Sequence, residues 1–320
     1  MEENMSMAVV ADVPKGKKKR KKITKEGWML FWLCMPFCIF IFIFTYLTLF
    51  GWAYAFLDFR PALGANPFNH EFVGLRHFRA IFVDMDTLGR VIRNTLAMSG
   101  LGLLVMPAAP LLAILFMELK SNKLKRITQT VMTFPNFISW VIIYGITFTF
   151  FANRGVMDTF MQFLGAAPQR VPIMANIDRV WSFQTALGLW RGIGFGSIIY
   201  VAAIAGIDTS LYEAAKIDGA SRIKCIRHIT VPGISLTFLV LFLLAISGIL
   251  STDFERQFVY QNAMVNRRFV GIDLHIYRIG IEQMQFSFAT AVGIIRSGIG
   301  LLLLFTANYV SKLIRGDSLV

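Results

Sequence analysis

Six long apolar runs divide this chain, and they limit its fold more tightly than any other feature. They extend approximately from Trp28 to Phe56, Val91 to Met117, Val131 to Phe151, Val180 to Ile207, Val231 to Ser251 and Ala289 to Leu313. Bilayer hydrocarbon is about 30 Å thick and a helix rises about 1.5 Å per residue, so roughly 20 apolar residues cross it. Each run meets that length. In lipid every backbone N–H and C=O needs a partner within its own segment, and the alternation of barrel strands is absent, so all six runs predict helices. The fold class is all-α: a polytopic membrane protein with six transmembrane helices. Pro36, Pro107, Pro110 and Pro135 fall inside the runs and read as kinks, because bundled neighbours re-satisfy the freed backbone groups.

Composition supports the same class, with 56% hydrophobic and 16% charged residues. The first run follows a basic stretch, as a secretory signal would. It is too long for a cleavable apolar region and no small-residue cleavage site follows it, so it reads as a retained anchor. Orientation comes from "KGKKKRKKITK" (Lys15 to Lys25), "ELKSNKLKR" (Glu118 to Arg126), the Ser210 to Gly233 segment and the terminal "SKLIRGD". Six spans place these four basic stretches on one side, which the positive-inside rule makes cytoplasmic, with both termini. The net charge of +13 is thereby a topology signal facing membrane lipid, and no nucleic-acid partner is expected.

Several chemistries lack their residues. No G-x-x-x-x-G-K-[ST] loop occurs, so the chain has no ATPase site of its own. "GIGFG" (Gly192 to Gly196) lies inside an apolar helix rather than after a strand, where small residues let helices approach closely. His70, His77, His228 and His275 are scattered without ligand spacing, and no disulfide is expected of Cys34, Cys38 and Cys225. The spans carry no Ser/His, Asp/Asp or His/Glu set at helical spacing, as a membrane enzyme would need. They also contain almost no Asp or Glu, which ion-coupled secondary transport would need. Arg191 and Arg296 do lie within spans; each either faces a pathway or snorkels or pairs at a helix interface.

Between the fourth and fifth spans the chain turns polar: "SLYEAAKIDGASRIKCIRHITVPG", Ser210 to Gly233. Ser210 and Glu213 form an S-x-x-E capping box for a short helix, and Asp218-Gly219 supplies a turn. Ser221 caps a second helix with Ile223, Ile226 and Ile229 on one face, and Pro232 stops it and opens the fifth span. From the residues alone, this pair of helices is either an amphipathic connector or a smooth surface for another protein.

The stretch resembles the EAA signature of permease subunits of binding-protein-dependent ABC importers, in the maltose-permease-like superfamily. Glu213, Ala214, Ala215, Asp218, Gly219, Ala220, Ile229 and Pro232 stand at the signature positions, while Ile223 and Ile226 replace a common aromatic and Val231 the usual leucine. "FVGLRHFRAIF", "FPNFISWVI", "IIYVAAIAGIDTSLYEAA" and "ATAVGIIRSGIGLLLLFTANYVSKLI" extend the resemblance over residues 28 to 316, and the pattern is similar to the LplB-like oligosaccharide and polysaccharide permease group.

The resemblance implies three parts: a basic tail, residues 1–27; a permease domain, residues 28–316, with the coupling loop 210–233; and a tail, residues 317–320. It implies a bacterial cytoplasmic (inner) membrane, a second homologous permease in a heterodimer, two ABC ATPase subunits and an extracytoplasmic solute-binding protein. That protein would touch the loops Phe72 to Phe82 and Asp253 to Gln283. The cargo it implies is a saccharide, with a peptide, polyol or glycerophosphate as alternatives. ATP and magnesium would sit on the partner ATPases, and no cofactor or metal on this chain. Arg191, Arg296, Trp190 and Asn136 are the candidates for the substrate pathway.

Overall fold

The computed structural model describes residues 25–64, 66, 69–152, 155–165 and 172–315. The basic stretch before the first span, Lys25 excepted, and the tail 317–320 lie outside the described residues. Among these residues the regular structure is helical, with one isolated antiparallel bridge between Leu57 and Phe72 and no strand. Six helical stretches are long and apolar enough to cross a membrane: Gly27–Phe56, Met85–Glu118, Trp140–Phe163, Val180–Ala205, Arg222–Ser247 and Phe286–Tyr309.

The chain divides into two units after Gly51. In the first, an α-helix runs through Pro36 and widens into a π turn at Phe42–Tyr46, and no described side chain is buried. Apolar side chains exposed all round suit a helix whose surroundings are lipid. The second unit holds the other five spans. Asp84 caps the second span by accepting from Thr87 N at 3.0 Å, and those Thr87 hydrogen bonds hold its carboxyl below the usual range. Pro107 lies in a two-residue interruption of that span, Met106 and Pro107, and Pro110 in the helix that resumes at Ala108.

Pro135 acts differently from the kink expected of it. It sits in a 3-10 turn, Phe134–Phe137, after which Ile138 and Ser139 are extended and Ser139 caps a new helix by accepting from Ile142 N. The third span therefore begins at Trp140, not Val131. The preceding helix, Asn122–Thr133, is amphipathic and capped by Ser121. Proline removes one ladder donor; Phe134 before it stays in α geometry, the helix tightens to a 3-10 turn, and the chain breaks at Ile138 and Ser139 instead of bending at the proline.

Among the small residues of the fourth span, Gly194 has a packing reason. A Cβ there would collide with the backbone of Met132, so the helix Asn122–Thr133 crosses the span at van der Waals contact. In lipid, where apolar transfer no longer drives helices together, such close approach is a main source of association. At Gly192 a Cβ would meet nothing.

The segment joining the fifth and sixth spans is not the exposed loop that its position in sequence suggests. It folds into short helices, Phe254–Tyr260, Asn266–Phe269 and Ile272–Tyr277, and buries Gln257, Val265, Phe269 and Leu274. Polar side chains pin it. Buried Asn94 donates to the carbonyls of Arg267 and Val270 at 3.2 and 3.0 Å, buried Thr95 accepts from Ile272 N, and Gln257 Oε1 accepts from Gly271 N. Asp273 accepts from Thr252 N and Oγ1. Each such bond satisfies a backbone group that burial would otherwise leave unpaired. Phe72 and Phe82, in contrast, are exposed.

Overpacking a tight crossing costs about 1–3 kcal/mol. Gly194→Ala is expected to lower the melting midpoint in detergent and Gly192→Ala to leave it unchanged; equal midpoints for the two would contradict this packing.

Candidate functional site

The polar segment after the fourth span forms two helices around a glycine. Its first helix, Thr209–Ile217, is capped by Asp208, whose side chain accepts from Ser210 N at 2.9 Å. The Ser210 capping box is thus corrected: Ser210 already lies inside the helix, because the carboxylate two residues earlier reaches the orphan N–H first. Hydrogen bonding from Ser210 in turn holds the Asp208 carboxyl below its ordinary pKa. Without a capping duty, Glu213 is exposed and has no hydrogen bond or ion pair among the described residues.

The turn is a Schellman motif. Ala220 N donates to Ala215 O at 2.8 Å and Gly219 N to Lys216 O at 3.1 Å, with Gly219 at φ +70°. Ser221 then caps the second helix, accepting from Lys224 N. Pro232 does not stop this helix; the helix runs on from Arg222 through the fifth span. Proline has no N–H to give, and the ladder passes it through a π turn, Ile226–Thr230, in which Val231 N reaches Ile226 O. The isoleucine face expected of this helix is divided. Ile226 and Ile229 are half-buried, Ile226 packing against a core that contains Tyr200 and Ile204, while Ile223 is 76% exposed.

Tyr212 and Thr230 join the two helices by a hydroxyl hydrogen bond of 2.9 Å. Glu213, Ala214 and Ile217 share the outward side of the first helix at spacings of one turn, and Ile217 is 87% exposed. The element offers smooth apolar surface beside two unpaired carboxylates, Glu213 and Asp218, and an open glycine, where a Cβ would meet nothing within 4 Å.

A second feature lies halfway along the second and fourth spans. A cavity of about 440 Å³ is lined by Met98, Ser99 and Gly102 of the second span, Thr185, Gly188 and Gly192 of the fourth, and residues near the end of the fifth. Arg256 is the one charged side chain among its described lining residues. Its Nη1 donates to Gln184 O at 3.1 Å and its guanidinium carbon lies 5.5 Å from the centre of Trp140. Arg191 stacks on the same indole at 4.6 Å and donates through Nε to Ile138 O, the carbonyl freed by the break after Pro135. Trp140 Nε1 donates to Asp253 at 2.7 Å. Burial pulls the Arg256 guanidinium below its usual pKa, with Asp253 opposing and Arg191 adding to the shift. Arg256 Nε is buried without an acceptor.

Of the pathway candidates read from the sequence, Arg191 joins this cluster but does not line the cavity, and neither do Trp190, which is exposed, and half-buried Asn136. Arg296 pairs with Asp273 at 2.6 Å and donates to Ser251 Oγ at 2.7 Å. Arg256 escaped sequence reading because residues 251–285 carry enough polar residues to pass for an external loop. The available signal was Asp253, three residues before it, at a helix N-cap.

The family described as binding-protein-dependent transport system inner membrane component matches residues 105–316. Protein LplB of Bacillus subtilis (strain 168) is 35% identical over 308 residues, 95% of each chain. The polygalacturonan/rhamnogalacturonan transport system permease protein YteP of the same organism is 34% identical over 315 residues, 97% of this chain and 96% of that one. Among solved structures, a chain of a bacterial alginate ABC transporter, crystallised with an alginate pentasaccharide-bound periplasmic protein, superimposes with a TM-score of 0.81. It is 30% identical, over 92% of this chain and 98% of that one.

Arg296 and Asp273 are 29% and 11% exposed, so removing one partner strands the other charge. Arg296→Ala is expected to destabilise the protein by about 1–3 kcal/mol, because Thr252 still donates twice to Asp273. Arg296→Ala with Asp273→Ala should recover part of that loss in a detergent melting experiment. Additive losses in the double variant would remove the pairing role.

Proposed function

The chain belongs to the family of binding-protein-dependent transport system inner membrane components, and from that premise we infer that it is the permease subunit of an ABC importer for oligosaccharides or polysaccharide fragments. It forms half of a translocation pathway, completed by a second, homologous permease. Two separate ABC ATPases bind ATP and magnesium, and an extracytoplasmic solute-binding protein delivers the cargo. The membrane is the bacterial cytoplasmic membrane, with both termini inside, as the lysine distribution favours. Saccharide cargo is supported by the polygalacturonan/rhamnogalacturonan and alginate named for its relatives.

The observation that carries the reading is the outward side of the helix Thr209–Ile217. Exposed Ile217 beside unpaired Glu213 is the composition of a docking surface: apolar area to bury and a carboxylate free to accept from a basic residue of the ATPase. The element is also stiff, through its Schellman turn, the Tyr212–Thr230 bond and the unbroken helix into the fifth span. When the ATPases close on ATP, a stiff docked element moves with them and carries that span. ATP thereby favours one of two packings of the same helices, which is the differential interaction a switch requires.

Gly219 separates docking from folding. Its added side chain would meet open space within this chain, and aspartate tolerates the left-handed conformation better than most residues, so the backbone strain is about 1 kcal/mol. Gly219→Asp and Glu213→Ala are therefore expected to insert at normal levels, by membrane immunoblot, and to abolish uptake of labelled oligosaccharide. Normal uptake in both variants would overturn the coupling assignment.

A further inference from the structure

Two guanidiniums lie against one indole, and the cluster brings them a single carboxylate. Arg191 and Arg256 both stack on Trp140, and Asp253 is engaged by the Trp140 Nε1–H and by the backbone N–H of Arg256. The cluster thus carries one positive charge in excess on two half-buried guanidiniums, and a partly desolvated cation without a counter-ion is costly. Arg191 is tied to the Ile138 carbonyl. Arg256 reaches the wall of the cavity and holds a buried Nε–H that no protein acceptor takes.

The backbone around Arg256 is shaped to keep it there. A Cβ on Gly188 would lie 2.6 Å from Arg256 Nη1, so the fourth span gives up a side chain where the guanidinium passes. Around it the cavity wall offers the hydroxyls of Ser99, Thr185 and Ser251, and open space at Gly102 and Gly192. A planar cation with spare donors, set among hydroxyls in a low-dielectric cavity, matches a ligand that carries both a carboxylate and alcohols.

We propose that Arg256 is a specificity residue of the translocation cavity, binding the carboxylate of an acidic saccharide, with Gly188 as its positioning residue. This rests on the reading of the chain as a saccharide-importing permease. The cargo's carboxylate supplies the missing counter-charge and an acceptor for Nη2, the guanidinium nitrogen that is neither buried nor bonded, while its hydroxyls meet those of the wall. A neutral sugar of the same size leaves the excess charge unmatched, so the cavity discriminates by charge as well as by shape.

The test uses the complete complex, with its partner permease, ATPases and binding protein, in proteoliposomes. Three probes are compared at saturating binding protein: a mixed pool of oligouronides, the same pool with its carboxyls reduced to alcohols, and a pool of neutral oligosaccharides. The wild-type complex is expected to transport the uronides about tenfold faster, or more, than the reduced pool. Arg256→Gln should lose that preference, with Arg256→Lys retaining part of it. Gly188→Ala, which displaces the guanidinium and leaves all charges in place, should shift the preference in the same direction and serves if Arg256→Gln does not assemble. An unchanged uronide preference in the assembled variants would overturn the role of Arg256. Faster transport of the neutral or reduced pools by the wild type would overturn the acidic cargo while leaving saccharide import standing. Transport of none of the three pools would overturn both.

Discussion

The return of residues 248–285 into the helix bundle is the arrangement on which the rest of this protein depends. Left outside, this segment would expose Phe269 and Leu274, and would take from Asn94 Nδ2 both of its acceptors and from half-buried Arg296 its counter-ion. Folded in, Asn94 and Thr95 supply the bonds that its backbone needs, and Asp273 neutralises Arg296. Buried polar groups of this kind are costly when half satisfied and rigidifying when fully paired, so the segment has one stable seat. That seat puts Asp253 at the Trp140 N–H and Arg256 at the wall of the cavity.

The two ends of the function are thereby held by different physics. Around the cavity, stacked arginines, a capped carboxylate and glycines cut for clearance form a polar site inside an apolar bundle. At the other end, the helices around Gly219 expose isoleucines to water and leave Glu213 unpaired, an unfavourable surface for an isolated protein and a favourable one for a chain that works in complex. Between them runs the continuous helix from Arg222 to Ser247, which neither Pro232 nor the π turn interrupts. On the proposed coupling, this continuous helix is the part that would carry ATP binding elsewhere to the cavity.

Much of this was legible in the sequence where the signal is local. Lipid forces long apolar segments into helices, so all six spans stand out, and the Gly219 turn and Ser221 cap follow from short-range backbone chemistry. The misplaced details arise where neighbouring options compete. Asp208 and Ser210 both qualify as caps, and the carboxylate takes the site. Pro135 breaks its run because Ser139 caps a fresh helix four residues on, and Pro232 leaves its helix whole because a π turn absorbs it. Arg256 was illegible because its meaning is non-local: Trp140, Gln184 and Gly188 give it a role, and nothing near it in sequence names them. Arg296 was visible as an intramembrane charge, but its partner, Asp273, lies across that same returning segment.

The central claim is that the helices around Gly219 are the seat of a separate ATPase. The most direct measurement is to purify this chain, affinity-tagged, in mild detergent from its native membrane and to identify by mass spectrometry what accompanies it. The account predicts a P-loop ATPase and a second EAA-bearing permease in stoichiometric amounts. Recovery of the chain alone, in a state that still transports, would make the segment an ordinary connector and contradict the account.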